Sequence, residues 1–594
     1  MVCFISKTSK RFSSDLGKVF PRMYPQILEK FKDSLIYIID NPFDNYDFEY
    51  SKLVNKRKTV FHIFRKDEYV FFGPLMKSIT DACPKCLLLT LAVDSESLES
   101  FKNNSTININ KTLTHNFQLK DITIYIHCVD LNTGKVFFLK KPFSHPSCSH
   151  FYDRVKRDKH EKKGHLPYKE IFKKVSDKYT GIIRETKLLS DIASTEIKRK
   201  MNKYDVIFSW FQNPVFPLFP HVGFLDLAIG TDKSQKVASQ RSSFEALERY
   251  SILGVPLTEP DRIATYENLG SRNSVNPTFF WKYSDEQLGQ KNFIFMNPSK
   301  NTILRWRIGT NLVGEEKLVP EDYVYVNFRN PTKFHNNSTS GCAAHIDYYR
   351  ACLNATLELI ERDNIMRHWV MGEPTLHIDL KSMKDTLREE LIILDNFGFD
   401  IKIINCSRFP GIYTFIILLT NRKNSRPKVI VTSGCDLNAR EAILKGVREA
   451  IGSLLISLIL EEKNGPTRLT REDVFEPEDH AIFYRDPVRF DLLKHYYEMS
   501  QTCSIASLST KYLVCNYELI LKHIILDLKN IGVNLYFFDL TFLPLKELGV
   551  HVIRAVSPEL MPIMFGTGNL KLGGSYQDHL KYQQNAILYP HPFS

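Results

Sequence analysis

Two separated decapeptides share one charged pattern. Residues 242–251 read SSFEALERYS and residues 354–363 read NATLELIERD, each containing Glu-x-x-Glu-Arg. The residues are Glu245, Glu248 and Arg249 in the first block, and Glu358, Glu361 and Arg362 in the second. On a helix, i,i+3 spacing puts both carboxylates on one face, with Cβ atoms about 5–6 Å apart. Such a pair repels itself unless something positive sits between the two groups. Phe244, Leu247, Leu357 and Ile360 provide the apolar positions that hold each helix against a core. Taken singly, either block reads as a solvated, self-paired helix face. Taken together, four carboxylates on two facing helices form a hard-oxygen site suited to Mg²⁺. That ion takes octahedral oxygen ligands and completes its shell with water and substrate phosphates. The arginines would then offer planar donors to phosphate oxygens, or orient the carboxylates. Spacing alone does not decide between the two readings.

The fold has to carry these helices. Helical periodicity runs over Lys236–Leu253, Asp347–Val370 and Ala439–Leu460, with β-branched runs at Leu318–Phe328, Ile412–Leu419 and Lys428–Thr432. This predicts an α+β (mixed α/β) domain over residues 168–594. Residues 1–150 read as a smaller β-rich domain. Its strand-like runs are Ser34–Ile39, Thr59–Phe64, Tyr69–Phe72, Ile122–Val129 and Lys135–Lys140, with Asn132-Thr-Gly as a hairpin turn. Residues 151–167 form a basic linker, and the basic, helix-favouring composition continues through 202 as a connection.

Charge narrows the partners. Lys+Arg is 79 against Asp+Glu 67, a formal +12 that favours anionic ligands. The densest basic run, Arg154–Lys163, also holds Asp158 and Glu161 and lacks aromatic residues. It reads as a solvated linker, so no nucleic-acid partner is expected. Eleven cysteines are too sparse for a disulfide framework. The N-terminus lacks an apolar core of signal-peptide length. The longest apolar stretches, such as Ile451–Leu460, fall short of the roughly 18 residues that span a bilayer. A cytoplasmic protein with reduced thiols and no membrane partner is expected.

With their flanks, the charged blocks resemble the YcaO family, in particular its ATP-dependent azoline-forming cyclodehydratases. RSSFEALERYS resembles the family's first block, and Gly341–Trp369 (GCAAHIDYYRACLNATLELIERDNIMRHW) its second. Ser433–Ala450 (SGCDLNAREAILKGVREA) resembles a third, and Gly549–Gly566 the final strand with its turn. The chain ends Pro590-His-Pro592-Phe-Ser594, similar to the family's Pro-x-Pro-x-Pro tail. Spaced prolines stiffen an extended tail. Phe71–Ala92 is similar to the Gly-Pro…Cys-x-x-Cys segment of a ThiF-like scaffold, which makes residues 1–150 a partial ThiF-like docking domain. Cys83, Cys86 and Cys148 could ligate Zn²⁺, which needs four ligands. Phe151 stands where the fourth is wanted, so buried thiols are favoured over zinc.

The resemblance implies an ATP- and Mg²⁺-dependent enzyme that cyclises Cys, Ser or Thr residues of a ribosomal precursor peptide to thiazolines or oxazolines. It would work in a bacteriocin- or microcin-like synthetase complex. A leader-binding ThiF-like/winged-helix protein and a flavin dehydrogenase are the partners implied. Glu245, Glu248, Glu358 and Glu361 would be the Mg²⁺ ligands, and Arg249, Asn354 and Arg362 would join them around ATP. Pro590, Pro592 and the Ser594 carboxylate would be the catalytic tail, with Ser594 a candidate base. Several positions depart from the family pattern. Arg241 stands for Ser, Asn354 for Gln, Ala343 for a polar residue, and Gly452 where Gln often follows Glu449. Arg350 stands where a further metal-binding Glu is usual, which predicts a cation beside the metals. A non-catalytic scaffold that binds peptide and partner is thus an alternative, as is a YcaO enzyme making thioamides or amidines.

Overall fold

The computed structural model describes residues 2–5, 35–39, 60–66, 69–76, 86–87, 125–130 and 136–142 of the N-terminal region. From 166 onward it describes all but 179, 202–203, 215–224, 255–259, 292, 327–333, 335–337, 373–374, 498–500, 513–515, 574–588 and 594.

The N-terminal strands form one sheet in chain order: β1 (Val2–Ile5), β2 (Leu35–Ile39), β3 (Val60–Lys66), β4 (Tyr69–Met76), β5 (Tyr125–Asp130) and β6 (Val136–Lys140). Strands β1 to β3 are parallel and the rest antiparallel. All five expected runs are strands here, and β1 is an addition. β5 and β6 pair antiparallel, as the expected hairpin requires, although its Asn132-Thr-Gly turn lies outside the described residues. Phe64 and Phe71 stack within this sheet, their ring centroids 4.7 Å apart.

The remainder is built three times from a strand followed by a helix. β7 (Ile183–Leu188), β8 (Asp205–Gln212) and β9 (Leu225–Asp232) form an antiparallel meander. The first long helix, α1 (Gln235–Leu253), follows β9 and packs back on it. Ile183–Leu188 belongs to this sheet, which corrects the expectation that 153–202 is only a connection. Its sequence IRETKL has no period-2 alternation, with Ile183 and Arg184 buried and Glu185, Thr186 and Lys187 exposed in a row, so neither pattern nor composition marks it as a strand.

A second sheet runs β10 (Arg262–Ala264), β11 (Leu304–Thr310), β19 (Tyr536–Asp539), β20 (His551–Val556) and β13 (Cys342–His345), with β12 (Glu316–Pro320) on the far side of β11. Helix α2 (Tyr348–Met371) follows β13, and its N-cap Asp347 accepts the Arg350 N–H at 2.8 Å. The expected strand Leu318–Phe328 stops at Pro320, where a 3₁₀ turn over Glu321–Tyr323 begins. Glu321 there takes Arg305 Nε at 3.0 Å, a contact that fixes the turn.

The third sheet runs β17 (Val429–Asp436), β16 (Tyr413–Asn421), β15 (Phe399–Asn405), β14 (Leu376–Ile378) and β18 (Gln501–Cys503). Helix α3 (Ala439–Asn464) follows β17, capped by Asn438, and lays Ile443, Val447, Ile451 and Leu454 against Phe415, Ile417 and Leu419. Each such side chain contributes about 1.5–3 kcal/mol on burial. Two strand glycines permit the close approach. A Cβ on Gly230 would lie 2.0 Å from Ala238 O on α1, and one on Gly434 would lie 2.2 Å from Ala442 O on α3. A short helix, α4 (Pro477–Tyr484), faces the end of the chain.

Candidate active site

Helices α1, α2 and α3 and strands β9, β13 and β17 enclose a cavity of about 560 Å³. Glu245, Glu248, Glu358 and Glu449 line it, together with Arg241, Arg249, Arg362 and Arg448. Asn354 and Ala343 also reach this wall.

Neighbouring backbone positions the acids. Glu245 accepts the Ile229 N–H of β9 at 2.9 Å and pairs with Arg249 at 2.8 Å. Arg249 donates in turn to Leu227 O at 3.1 Å. Glu248 accepts the Ala344 N–H of β13 at 3.1 Å. The i,i+3 geometry thus sends the two carboxylates of α1 to two different sheets. On α2, Glu358 makes a loose 3.8 Å pair with Arg362. Glu361 turns to β17, where it accepts the Ser433 hydroxyl at 2.5 Å, and it is not in the cavity lining. Its place there is taken by Glu449 of α3.

Burial and like charge push Glu248, Glu358 and Glu449 up. Desolvation, then Glu358 and Glu245, hold Glu248 well above the carboxylate range. Desolvation raises Glu358 to about 7, opposed by Arg362. Glu449 rises to about 8 through desolvation and then the Glu361 charge. Carboxylates driven toward the neutral form by one another are groups a cation would relieve. Among the described residues no group of three or more His, Cys, Asp or Glu forms a ready metal cage. A cage is unnecessary for Mg²⁺, which is usually bound by one or two carboxylates plus substrate phosphates. Arg362 Nε is buried and makes only the loose 3.8 Å ion pair with Glu358 and no hydrogen bond, so a phosphate oxygen could satisfy it. The donor set therefore fits a Mg²⁺–polyphosphate.

The family profile described as YcaO cyclodehydratase, ATP- and Mg²⁺-binding, matches residues 229–561, more than half of the 594. The chain belongs to the YcaO family. Among solved structures it is similar to a heterocyclase in complex with substrate and cofactor, with TM-score 0.67 and 15% identity over 94% of this chain and 80% of that one. It is also similar to the heterocyclase TruD, with TM-score 0.57 and 15% identity over 89% of this chain and 74% of that one. At such identities the likeness is one of fold. A weaker match, TM-score 0.47 and 17% identity over 69% of this chain and 96% of that one, is the E. coli microcin synthetase McbBCD complex with pro-MccB17 bound. Among curated proteins none matches.

The proline-spaced segment at 590–593 is packed into the protein. Pro590, His591, Pro592 and Phe593 are buried. Tyr484 of α4 donates to Pro590 O at 2.6 Å, and Phe593 lines the carboxylate cavity. Ser594 lies outside the described residues, as do Cys83 and Cys148; Cys86 is buried.

The departures resolve differently. Arg350 does not line the cavity. Its guanidinium lies 4.8 Å over the Tyr517 ring, and the expected cation beside the metals is corrected. The position is in the first turn of α2, well before the Glu358 turns. Arg241 does face the cavity, tied to Thr231 O at 3.3 Å and Asp232 at 3.3 Å. Gly452 has a steric reason: a Cβ there would lie 2.4 Å from Thr231 Oγ1.

Sequence reasoning missed Glu449 and Arg448 as cavity residues. A signal existed. Gly-Thr-Asp at 230–232 and Gly-Cys-Asp at 434–436 each end a strand before a long helix, and Glu449 stands as far beyond Gly434 as Glu245 stands beyond Gly230.

Proposed function

We propose that this YcaO protein is an ATP-dependent cyclodehydratase that converts Cys, Ser or Thr residues of a ribosomal precursor peptide to thiazolines or oxazolines. The observation that carries this is that four glutamates and four arginines from three helices line one cavity. In the proposed reaction the substrate thiol or hydroxyl adds to the preceding carbonyl carbon, and its proton passes to a base. The carbonyl oxygen, now anionic, takes the γ-phosphoryl group and ADP leaves. The amide nitrogen then gives up its proton as the C–O bond to phosphate breaks and C=N forms. The peptide oxygen departs in phosphate, so no water is consumed.

Arg249, Arg362, Arg241 and Arg448 would hold the phosphates in line, because phosphoryl transfer depends chiefly on positioning and charge stabilisation. Glu245, Glu248, Glu358 and Glu449 would offer the carboxylates for Mg²⁺, one or two to an ion with substrate phosphates completing its shell, and Glu361 would brace through Ser433. Mg²⁺ supplies charge neutralisation on the phosphate oxygens when bound. Asn354 would contact the nucleotide, and the tail carboxylate of Ser594 would take the attacking proton. Residues 1–150 would dock a leader-binding ThiF-like/winged-helix partner in the cytoplasm, and a flavin dehydrogenase would oxidise the azolines. The scaffold alternative drew on Arg350 and the other departures; Arg350 lies over Tyr517 and outside the cavity lining, while Arg241 is in it.

The test is mass spectrometry of the precursor peptide after incubation with this protein, its leader-binding partner, Mg²⁺ and ATP. Loss of one water mass per modified residue, with ADP released, is expected. Neither ADP nor a mass change, with the partner bound, would overturn the reading.

A further inference from the structure

A second cavity, about 570 Å³, adjoins the carboxylate chamber. Ile229, Arg249, Val431, Ser453 and Ile456 line both. Arg249 is thus the one charged side chain, among the described residues, common to the two linings. Their character differs. The first carries four arginines beside four glutamates, a set that takes a triphosphate together with Mg²⁺. The second is walled by apolar groups such as Leu253, Val429, Tyr484 and Phe565, with the hydroxyls of Thr339 and Ser457. Its charged lining is Asp226, Glu476 and Glu478 against Arg249 and Arg485, an excess of negative charge that would repel phosphates.

The chain end separates the two. Phe593 lines the first chamber and Pro592 the second. At the outer rim of the second chamber Phe475 is 67% exposed, although it is a large aromatic side chain. The volume lies within the range of about 300–1,000 Å³ that ligand sites occupy.

Phosphoryl transfer brings donor and acceptor to one phosphorus from opposite sides. With the nucleotide phosphates in the arginine-rich chamber, the acceptor has to arrive from the other side of Arg249. We propose that the second chamber is the acceptor site: it binds a short, uncharged or basic peptide segment whose Cys, Ser or Thr residue turns its preceding carbonyl toward Arg249. Phe475 packs on that segment at the rim. This rests on the cyclodehydratase reading and adds where the peptide lies.

The test uses the full chain and acetyl-Gly-Cys-amide as probe, followed by saturation-transfer NMR with and without Mg²⁺ and a non-hydrolysable ATP analogue. The probe should bind wild type whether or not the analogue is present. Ala481→Trp, which fills the chamber from α4, should weaken the probe by about tenfold, and Phe475→Ala by about threefold. In both variants the affinity for the ATP analogue should stay within about twofold of wild type, which also shows that the protein is folded. Displacement of the probe by the analogue, no binding to wild type, or undiminished binding in both variants would overturn the proposal. Peptide-dependent ADP release is read separately. Turnover that is insensitive to both variants sinks the acceptor site alone, whereas probe binding without turnover on any peptide sinks the cyclodehydratase reading.

Discussion

The imidazole of His480 donates its Nδ1 hydrogen to the carbonyl oxygen of His591 over 2.8 Å, and the two rings stack with centroids 4.1 Å apart. The tautomer follows from the third partner. Gly566 N–H can only donate, and it reaches His480 Nε2 at 2.9 Å, so the proton sits on Nδ1. His591 Nε2 donates in turn to Met564 O at 2.9 Å. Burial lowers His480 to about 4, so the neutral ring is held through the working range. The sign is that of a depressed base: its contribution is full above the unfolded value of about 6.5 and is lost as pH falls toward about 4.

His480→Ala removes this clamp and leaves the Gly566 N–H and the His591 carbonyl unpaired in a buried place. A loss of about 1–3 kcal/mol is expected. Carboxypeptidase should then release the terminal residues faster than from wild type. Peptide turnover should fall while ATP affinity, set on α1 to α3, changes little. An unchanged rate of terminal release would show that His480 does not hold the tail.

Glu449→Gln separates binding from stability. The wild-type carboxyl is desolvated and repelled by Glu361 and Glu245, which raises it to about 8. Taking away a buried like charge should raise the thermal midpoint of the nucleotide-free protein at pH 8. On the proposed reading the same change removes a Mg²⁺ ligand, and peptide-dependent ADP release should fall by about 10²-fold or more. Full turnover in this variant would remove Glu449 from the site.

The site was legible where it is local. Glu-x-x-Glu-Arg is read within a turn of helix, so Glu245, Glu248 and Glu358 are recognisable as a set that proves to line one cavity, and the three long helices are placed to within a few residues. What failed was non-local. The i,i+3 spacing treats both acids of a pair alike, whereas Glu358 lines the cavity and Glu361 reaches its edge through Ser433, which lines it. Arg350 was assigned to the metals because a sequence cannot show that Tyr517 offers its ring face instead. Strand β7 was lost because its exposed residues run in a row without alternation, and composition reads their charge as a linker.

Binding of Mg²⁺ and nucleotide should release protons. Near pH 7 Glu358, raised to about 7, and Glu449, raised to about 8, hold part of their protons in the free protein. Metal ligation needs the ionised form. Calorimetry with the ATP analogue in phosphate and in Tris, at one pH, should give different enthalpies whose difference reports protons released. The stability sign is opposite to that of His480. An acid raised by folding contributes most at low pH and loses its contribution as pH rises through its folded value. The nucleotide-free protein should therefore lose thermal stability as pH rises from about 4.5 to about 8, and Mg²⁺ with the analogue should flatten that slope. Equal enthalpies in both buffers would mean that the carboxylates are already ionised.

Arg350→Ala removes a ring contact on the outer face of α2 and nothing from the cavity. ATP-analogue affinity should stay within about twofold, and stability should fall by about 0.5–1 kcal/mol, the size of an exposed cation–π contact. A tenfold loss of nucleotide affinity would place the guanidinium at the phosphates after all.

Gly230→Ala tests how the site depends on the approach of α1 to β9. The added methyl would sit 2.0 Å from Ala238 O and 2.6 Å from Ser242 N, both helix backbone, so no side-chain rotation can relieve it. The helix has to move off the strand. That movement strains the Ile229 N–H to Glu245 bond and the Arg249 to Leu227 O bond together, since both cross the same interface. Destabilisation of about 3 kcal/mol is expected, the upper end for overpacking. Nucleotide affinity should fall with it, even at temperatures where circular dichroism shows a folded protein. A folded Gly230→Ala variant with wild-type affinity would show that the carboxylates find their places without the strand.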